Sequence, residues 1–237
     1  MVDGMRLGLR TAVTRREALS AAALLALALA QAGCAKGGGD GAGDGGIDYL
    51  VLVNKAHRLP DGWEDAVDLV EAPNPMGEQG SGPIPVERRA YEAFLGLQDE
   101  VLREDGVDIE LDSCYRSVAR QQEVWDDFIE AYGAEYTKGH VPVPGYSEHH
   151  TGLPIDLYLV VDGKDVYENE EMMAHQDLWD KVHARLADHG FILHYAQDKV
   201  DVTGYDYEPW HIRYVGSPEV AHEMADAGLT LEEYLGA

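Results

Sequence analysis

The sequence predicts an α+β fold in which one mainly antiparallel sheet is flanked by helices. Three observations lead there. Helix-spaced and strand-like segments follow one another irregularly, without the regular βαβ alternation that a parallel sheet requires. Hydrophobic residues make up 45% of the 237-residue chain, enough to bury a core. From Ile47 to Ala237 there is no internal repeat and no second linker, so this stretch reads as a single domain.

The elements follow in order. Val86 to Arg103 has helical spacing, with Tyr91, Phe94, Leu95, Leu97 and Val101 apolar and charges between them. The Pro- and Gly-containing stretch before it, Ala72 to Pro85, reads as a long loop. Val107 to Leu111 alternates apolar and acidic residues like a half-buried strand. Ser117 to Tyr132 is expected to be a second helix, with Val118, Trp125, Phe128 and Ile129 on one face. Leu153 to Val161 reads as a strand, Leu178 to His189 as a helix, and Phe191 to Tyr195 and Trp210 to Val215 as strands. One or two helices close the chain from Pro218.

Charge narrows the partners. The chain has 18 Lys+Arg against 44 Asp+Glu, a formal net charge of -26. Such acidity repels a phosphate backbone and an anionic membrane surface, so neither nucleic-acid binding nor polybasic membrane adsorption is expected. Residues 1–33 stand apart. Arg6, Arg10, Arg15 and Arg16 precede an uncharged, Ala- and Leu-rich run from Ala18 to Gly33, the pattern of a secretory signal too short to span a bilayer. The Arg15-Arg16 pair leaves both general and twin-arginine export open. The run ends Gln31-Ala32-Gly33-Cys34, similar to a bacterial lipobox in which the cysteine is acylated, although Gln31 stands where an apolar residue is usual. Residues 34–46 are dominated by glycine and read as a flexible tether. The expected protein is therefore exported, lipid-anchored through Cys34 at the outer face of the cytoplasmic membrane, and monomeric. An unanchored secreted form is the alternative. With Cys34 acylated, Cys114 is the remaining cysteine and no intramolecular disulfide can form.

Chemistry-bearing residues gather in two segments. One is Ser147-Glu148-His149-His150-Thr151-Gly152-Leu153-Pro154-Ile155-Asp156, and the other is Glu208-Pro209-Trp210-His211-Ile212-Arg213-Tyr214. Two imidazoles and a carboxylate can hold Zn²⁺ while leaving a position for water, and a further carboxylate can serve as general base. Residues three apart on an ideal strand face opposite ways, so Glu208 and His211 converge only if Pro209 bends the chain.

Together these segments resemble the VanY-type zinc carboxypeptidases, which include D-alanyl-D-alanine carboxypeptidases and LdcB-like L,D-carboxypeptidases. The resemblance runs from about Leu50 to Gly216. It also takes in Leu52-Val53-Asn54-Lys55, Tyr115-Arg116-Ser117 with Gln121, Gly190-Phe191-Ile192 and Thr203-Gly204-Tyr205. It implies a hedgehog/D-Ala-D-Ala peptidase-like fold and hydrolysis of C-terminal D-alanine from peptidoglycan stem peptides. It implies His149, Asp156 and His211 as zinc ligands, Glu208 as catalytic base, and Arg116, Gln121 and Ser147 as substrate-binding residues. A guanidinium suits such a substrate because its planar fork pairs with a free carboxylate. Cys114, His150, Pro154 and His194 depart from the usual pattern, His194 replacing an Arg. Cys114 reads as a small buried residue, His150 as a neighbour of the site and Arg213 as a structural partner of an acid. His175, His183, His189 and His222 read as surface or capping residues. The competing functions are an endopeptidase or D,D-dipeptidase of the same fold and a non-catalytic cell-wall-binding lipoprotein.

Overall fold

A computed structural model describes residues 46–73 and 82–237. The expected signal peptide, Cys34 and nearly all of the glycine tether lie outside the described residues. The described residues form an α+β domain built on a five-stranded sheet in which every pairing is antiparallel. Its strands are β3 (Asp108–Ser113), β4 (Pro154–Val161), β5 (Lys164–Val166), β6 (Phe191–Leu193) and β7 (His211–Tyr214). The order is β3-β4-β7-β6, with β5 paired to the far end of β4.

A two-stranded ribbon, β1 (Leu69–Ala72) with β2 (Ile84–Glu87), was not expected from the sequence. It brings together the two ends of the Pro/Gly loop, so Val86 and Glu87 belong to a strand rather than to the helix assigned to them. The helix α2 (Arg88–Glu100) starts where the Glu87 carboxylate accepts a hydrogen bond from the Ala90 amide at 2.8 Å. Its apolar stripe, Ala90, Phe94 and Leu97, is buried in the core. Ser117 caps α3 (Val118–Tyr132) by accepting from the Arg120 amide at 3.0 Å. The short helix α4 (Ala134–His140) follows directly, and α1 (Trp63–Ala66) precedes the ribbon.

Leu178 to His189 is not one helix. It divides into α6 (Gln176–His183) and a 3₁₀ turn at Ala187–His189, with α5 (Asn169–Met173) before it. Between β6 and β7 lies α7 (Val200–Thr203), and α8 (Pro218–Ala227) and α9 (Leu231–Leu235) close the chain. The main core joins Phe94, Leu97, Ile109, Leu157, Trp179, Phe191 and Ile212, whereas Ile192, Val215, Met224 and Leu231 form a second cluster beneath the last helices. Among the described residues no helix is long and apolar enough to cross a membrane.

Candidate functional site

The two chemistry-bearing segments meet at the middle of the sheet. Glu148–Thr151 forms a 3₁₀ turn, and Gly152 takes a left-handed conformation (φ 73°) that turns the chain into β4. A side chain at Gly152 would also crowd Leu69 and the Glu87 backbone, so this position needs glycine. Asp156 on β4 lies opposite His211, the first residue of β7. The convergence of Glu208 comes from a turn, because the His211 amide donates to the Glu208 carbonyl at 3.1 Å across Pro209-Trp210.

His149 Nε2 lies 3.1 Å from one oxygen of Asp156, and His211 Nδ1 lies 2.8 Å from the other. The three donor atoms are all within 4.8 Å of one another. Their outer atoms are already committed. A carbonyl can only accept, so His149 Nδ1–H donates to the Cys114 carbonyl at 2.6 Å. His211 Nε2 donates to the Glu148 carboxylate at 2.8 Å. Each ring thus turns its other nitrogen toward Asp156, and outer hydrogen bonds of this kind orient histidines that hold a cation. Burial works against the charged forms, but the two imidazoles hold Asp156 well below the usual carboxylate range. Two nitrogens and one carboxylate suit Zn²⁺ with a position left open.

Among the described residues a second group also has donors within 4.8 Å of one another: Glu148, His194 and His211. Its capacity is spent on the protein. Arg213 Nη1 donates to Glu148 Oε1, while His194 bridges Glu148 at 3.0 Å and Glu232 at 3.0 Å. Arg213 is fully buried and also bonds the carbonyls of Tyr49, Val51 and Tyr214. This agrees with its reading as a structural partner of an acid. Tyr195 stacks on His211 (centroids 4.3 Å, 16°), Tyr205 stacks on Tyr195, and Lys55 sits over the Tyr205 ring.

Glu208 lies in the field of this cluster. Burial raises its carboxyl above the ordinary value, His211 and His149 pull it down, and Asp156 pushes it up, leaving it raised. On the other side, Arg116 is tied to the same turn through its backbone. Its amide donates to the His149 carbonyl at 3.0 Å, and its own carbonyl accepts from His150 Nδ1 at 2.6 Å. The Gly145 amide donates to His150 Nε2, so that ring is neutral, and burial lowers its pKa further. His150 is therefore a buried neighbour of the site. The Arg116 guanidinium meets Gln121 Oε1 at 3.1 Å and Ser113 Oγ at 3.4 Å, and Gln121 Nε2 donates to the Pro142 carbonyl. Ser147 is buried two residues before His149.

Cys114 is fully buried, and burial pushes its thiol well above the ordinary range. Its contribution to the site is its backbone carbonyl. Glu148, His194 and Glu232 were not singled out from the sequence as site residues. His183 is half-buried; it packs along Trp179 and donates to the Pro209 carbonyl at 2.9 Å, steadying the turn that carries Glu208.

Comparison with known proteins identifies the family. The family model described as VanY: D-alanyl-D-alanine carboxypeptidase matches residues 84–217. The bifunctional D-Ala-D-Ala dipeptidase and D-Ala-D-Ala carboxypeptidase VanXYC of Enterococcus gallinarum is 37% identical over 193 residues, covering 79% of this chain and 94% of its own. The LdcB LD-carboxypeptidase, whose structure addresses peptidoglycan recognition, superposes with a TM-score of 0.66 at 30% identity, covering 79% of this chain and 86% of its own. A vancomycin-resistance D,D-pentapeptidase VanY, solved in complex with Zn(II), gives 0.61 at 32% identity over 80% of this chain and 99% of its own. With the motif residues assembled on the same fold, the chain belongs to the VanY family of D-alanyl-D-alanine carboxypeptidases.

Proposed function

We propose that the chain is a zinc carboxypeptidase that removes the C-terminal D-alanine from peptidoglycan stem peptides. The carrying observation is the pairing of two features on one turn. His149, Asp156 and His211 bring three potential ligand atoms within 4.8 Å of one another, and the Arg116 backbone is bonded directly to the residues that present His149. When bound, zinc would polarise the scissile carbonyl and acidify water. His149 and His211 would hold it through nitrogens whose orientation is set by the Cys114 carbonyl and the Glu148 carboxylate, with Asp156 as the anionic ligand. Glu208 would take the proton from the attacking water and deliver it to the departing amine. Arg116, braced by Gln121 and Ser113, would hold the substrate's terminal carboxylate, with Ser147 lining the same pocket.

The same reading places the enzyme outside the cytoplasm. It rests on the signal-like residues 1–33 and the lipobox-like end at Cys34, and it has the protein tethered by a lipid on Cys34 and acting as a monomer. The decisive experiment incubates purified protein with penta- and tetrapeptide stems and identifies products by mass spectrometry, alongside metal analysis. Loss of a single D-alanine with about one zinc per chain is expected. Release of a dipeptide would replace the carboxypeptidase reading with a dipeptidase. Absence of both hydrolysis and zinc after reconstitution would leave only a cell-wall-binding role.

A further inference from the structure

The family match covers residues 84–217, yet Arg213 and His194, which hold the carboxylate that orients His211, are themselves anchored by groups outside it. On one side Arg213 is anchored by the Tyr49 and Val51 carbonyls. On the other, a relay reaches the last helix. Asn54 Nδ2 donates to Glu232 Oε1 at 3.0 Å, His194 Nε2 to Glu232 Oε2 at 3.0 Å, and His194 Nδ1 to Glu148 at 3.0 Å. Glu148 in turn accepts from His211 Nε2 at 2.8 Å.

We infer that His194 and Glu232 are positioning residues for the metal centre, through which α9 fixes the Glu148 carboxylate and, by way of it, the His211 ring. The inference rests on the zinc reading above. Every member of the relay is buried, Glu232 at 5% exposure being the most open of Glu232, His194, Glu148 and His211, so solvent cannot substitute for a lost partner. Carboxylate oxygens only accept, so both nitrogens of His194 must donate, and the ring pins two acids at a fixed separation. Without it Glu148 is left with Arg213 on Oε1 and His211 itself on Oε2. The helix end of the relay is itself rigid. Thr230 and Glu233 form a capping box at the start of α9, Lys199 pairs with Glu233 at 2.8 Å, and Leu231 is fully buried. Glu233 thus secures the helix while Glu232 points inward.

The test compares Glu232→Gln with Glu233→Gln. The first leaves one acceptor where Asn54 and His194 both need one. The second removes the ion pair with Lys199 on the same helix, keeps an acceptor for the cap and spares the relay. Zinc affinity is measured by chelator competition, the Co(II)-substituted absorption spectrum is recorded, and kcat and KM are determined separately. Glu232→Gln should weaken zinc by about tenfold or more, the range seen when partners of metal-bound histidines are lost. It should also alter the Co(II) spectrum and lower kcat with KM little changed. Glu233→Gln should lower the melting temperature and leave zinc affinity intact. Should Glu232→Gln fail to fold, His194→Gln, which can donate to only one of the two acids, serves in its place with the same expectation. Unchanged zinc affinity in the relay variant, or an equal loss in Glu233→Gln, would overturn the inference while leaving the zinc reading standing. A wild-type protein that binds no zinc would overturn both.

Discussion

Replacing Glu148 by Gln tests whether the buried ion network supports the domain as the structure implies. Both carboxylate oxygens are occupied, Oε1 by Arg213 and His194 and Oε2 by His211 and His194. An amide keeps the shape but presents an acceptor at one end only, so a donor then faces Arg213 or His211. Neither Glu148 nor Arg213 can be rescued by solvent, since their side chains are 1% and 0% exposed. Burial alone would raise the Glu148 carboxyl, yet His194 and Arg213 hold it well below the usual range, so the group that is lost is an anion. Removing one partner of a buried pair costs about 3–5 kcal/mol, because the other charge is left uncompensated. At about 2–4 °C per kcal/mol for a domain of ~150–250 residues, the melting temperature should fall by roughly 6–20 °C. Calorimetry and urea unfolding of the metal-free protein isolate this from any effect on zinc. The control is Glu123→Gln, which breaks the exposed Arg120–Glu123 pair (2.7 Å, side chains 46% and 65% exposed) and should be barely measurable. A Glu148→Gln protein as stable as that control would refute the reasoning.

Other expectations follow from the site. Glu208→Gln should retain zinc and lose at least about a hundredfold in kcat, the scale of general-base catalysis; full activity would place the base elsewhere. Because Glu208 acts deprotonated and burial raises its pKa, kcat/KM should fall with decreasing pH on a limb above the ordinary Glu value of about 4.3. A limb at or below that value would contradict the assignment. Arg116→Ala should discriminate against free-carboxylate substrates, and its deficit should shrink for a C-terminally amidated peptide; equal losses on both would remove the carboxylate-binding role. Cys114 should resist thiol reagents in the folded protein and react after denaturation, which mass spectrometry can follow. Cys34→Ala should release the protein from membranes, and unchanged fractionation would remove the lipid anchor.

The expected ligands were legible because their chemistry is stated by residue type. An Asp within the apolar run Pro154–Val161 and a His flanked by Trp210 and Ile212 are costly to bury without a partner. Their convergence was not legible, because it depends on the Asp156–His211 register and on the turn at Pro209-Trp210. Glu148 was overlooked for a related reason. Beside two histidines it reads as an ordinary charge, and the partners that give it a role, His194, Arg213 and Glu232, come from distant parts of the chain. The antiparallel sheet was readable because strands and helices follow one another without βαβ alternation. The β1–β2 ribbon was hidden by Pro85 and the glycines before it, and α4 by Gly133 and Gly139 in a segment without apolar periodicity. The overlong helix at Leu178 reflects continued apolar spacing through a turn that the chain does not close as helix.

Asp156 and His211 face each other across a ladder in which β4 pairs with β7 through only three residues, Pro154–Asp156 with Arg213–His211. A cation shared by those two side chains would act as a cross-strand staple at this short seam. Beyond that seam, among the described residues, β6 is joined to the sheet only through β7. Amide hydrogen exchange would reveal this as protection that spreads outward from the seam when metal is added. The backbone of Phe191–Leu193, which carries none of the proposed ligands, should slow its exchange along with His211–Tyr214, while β3 on the opposite flank should change little.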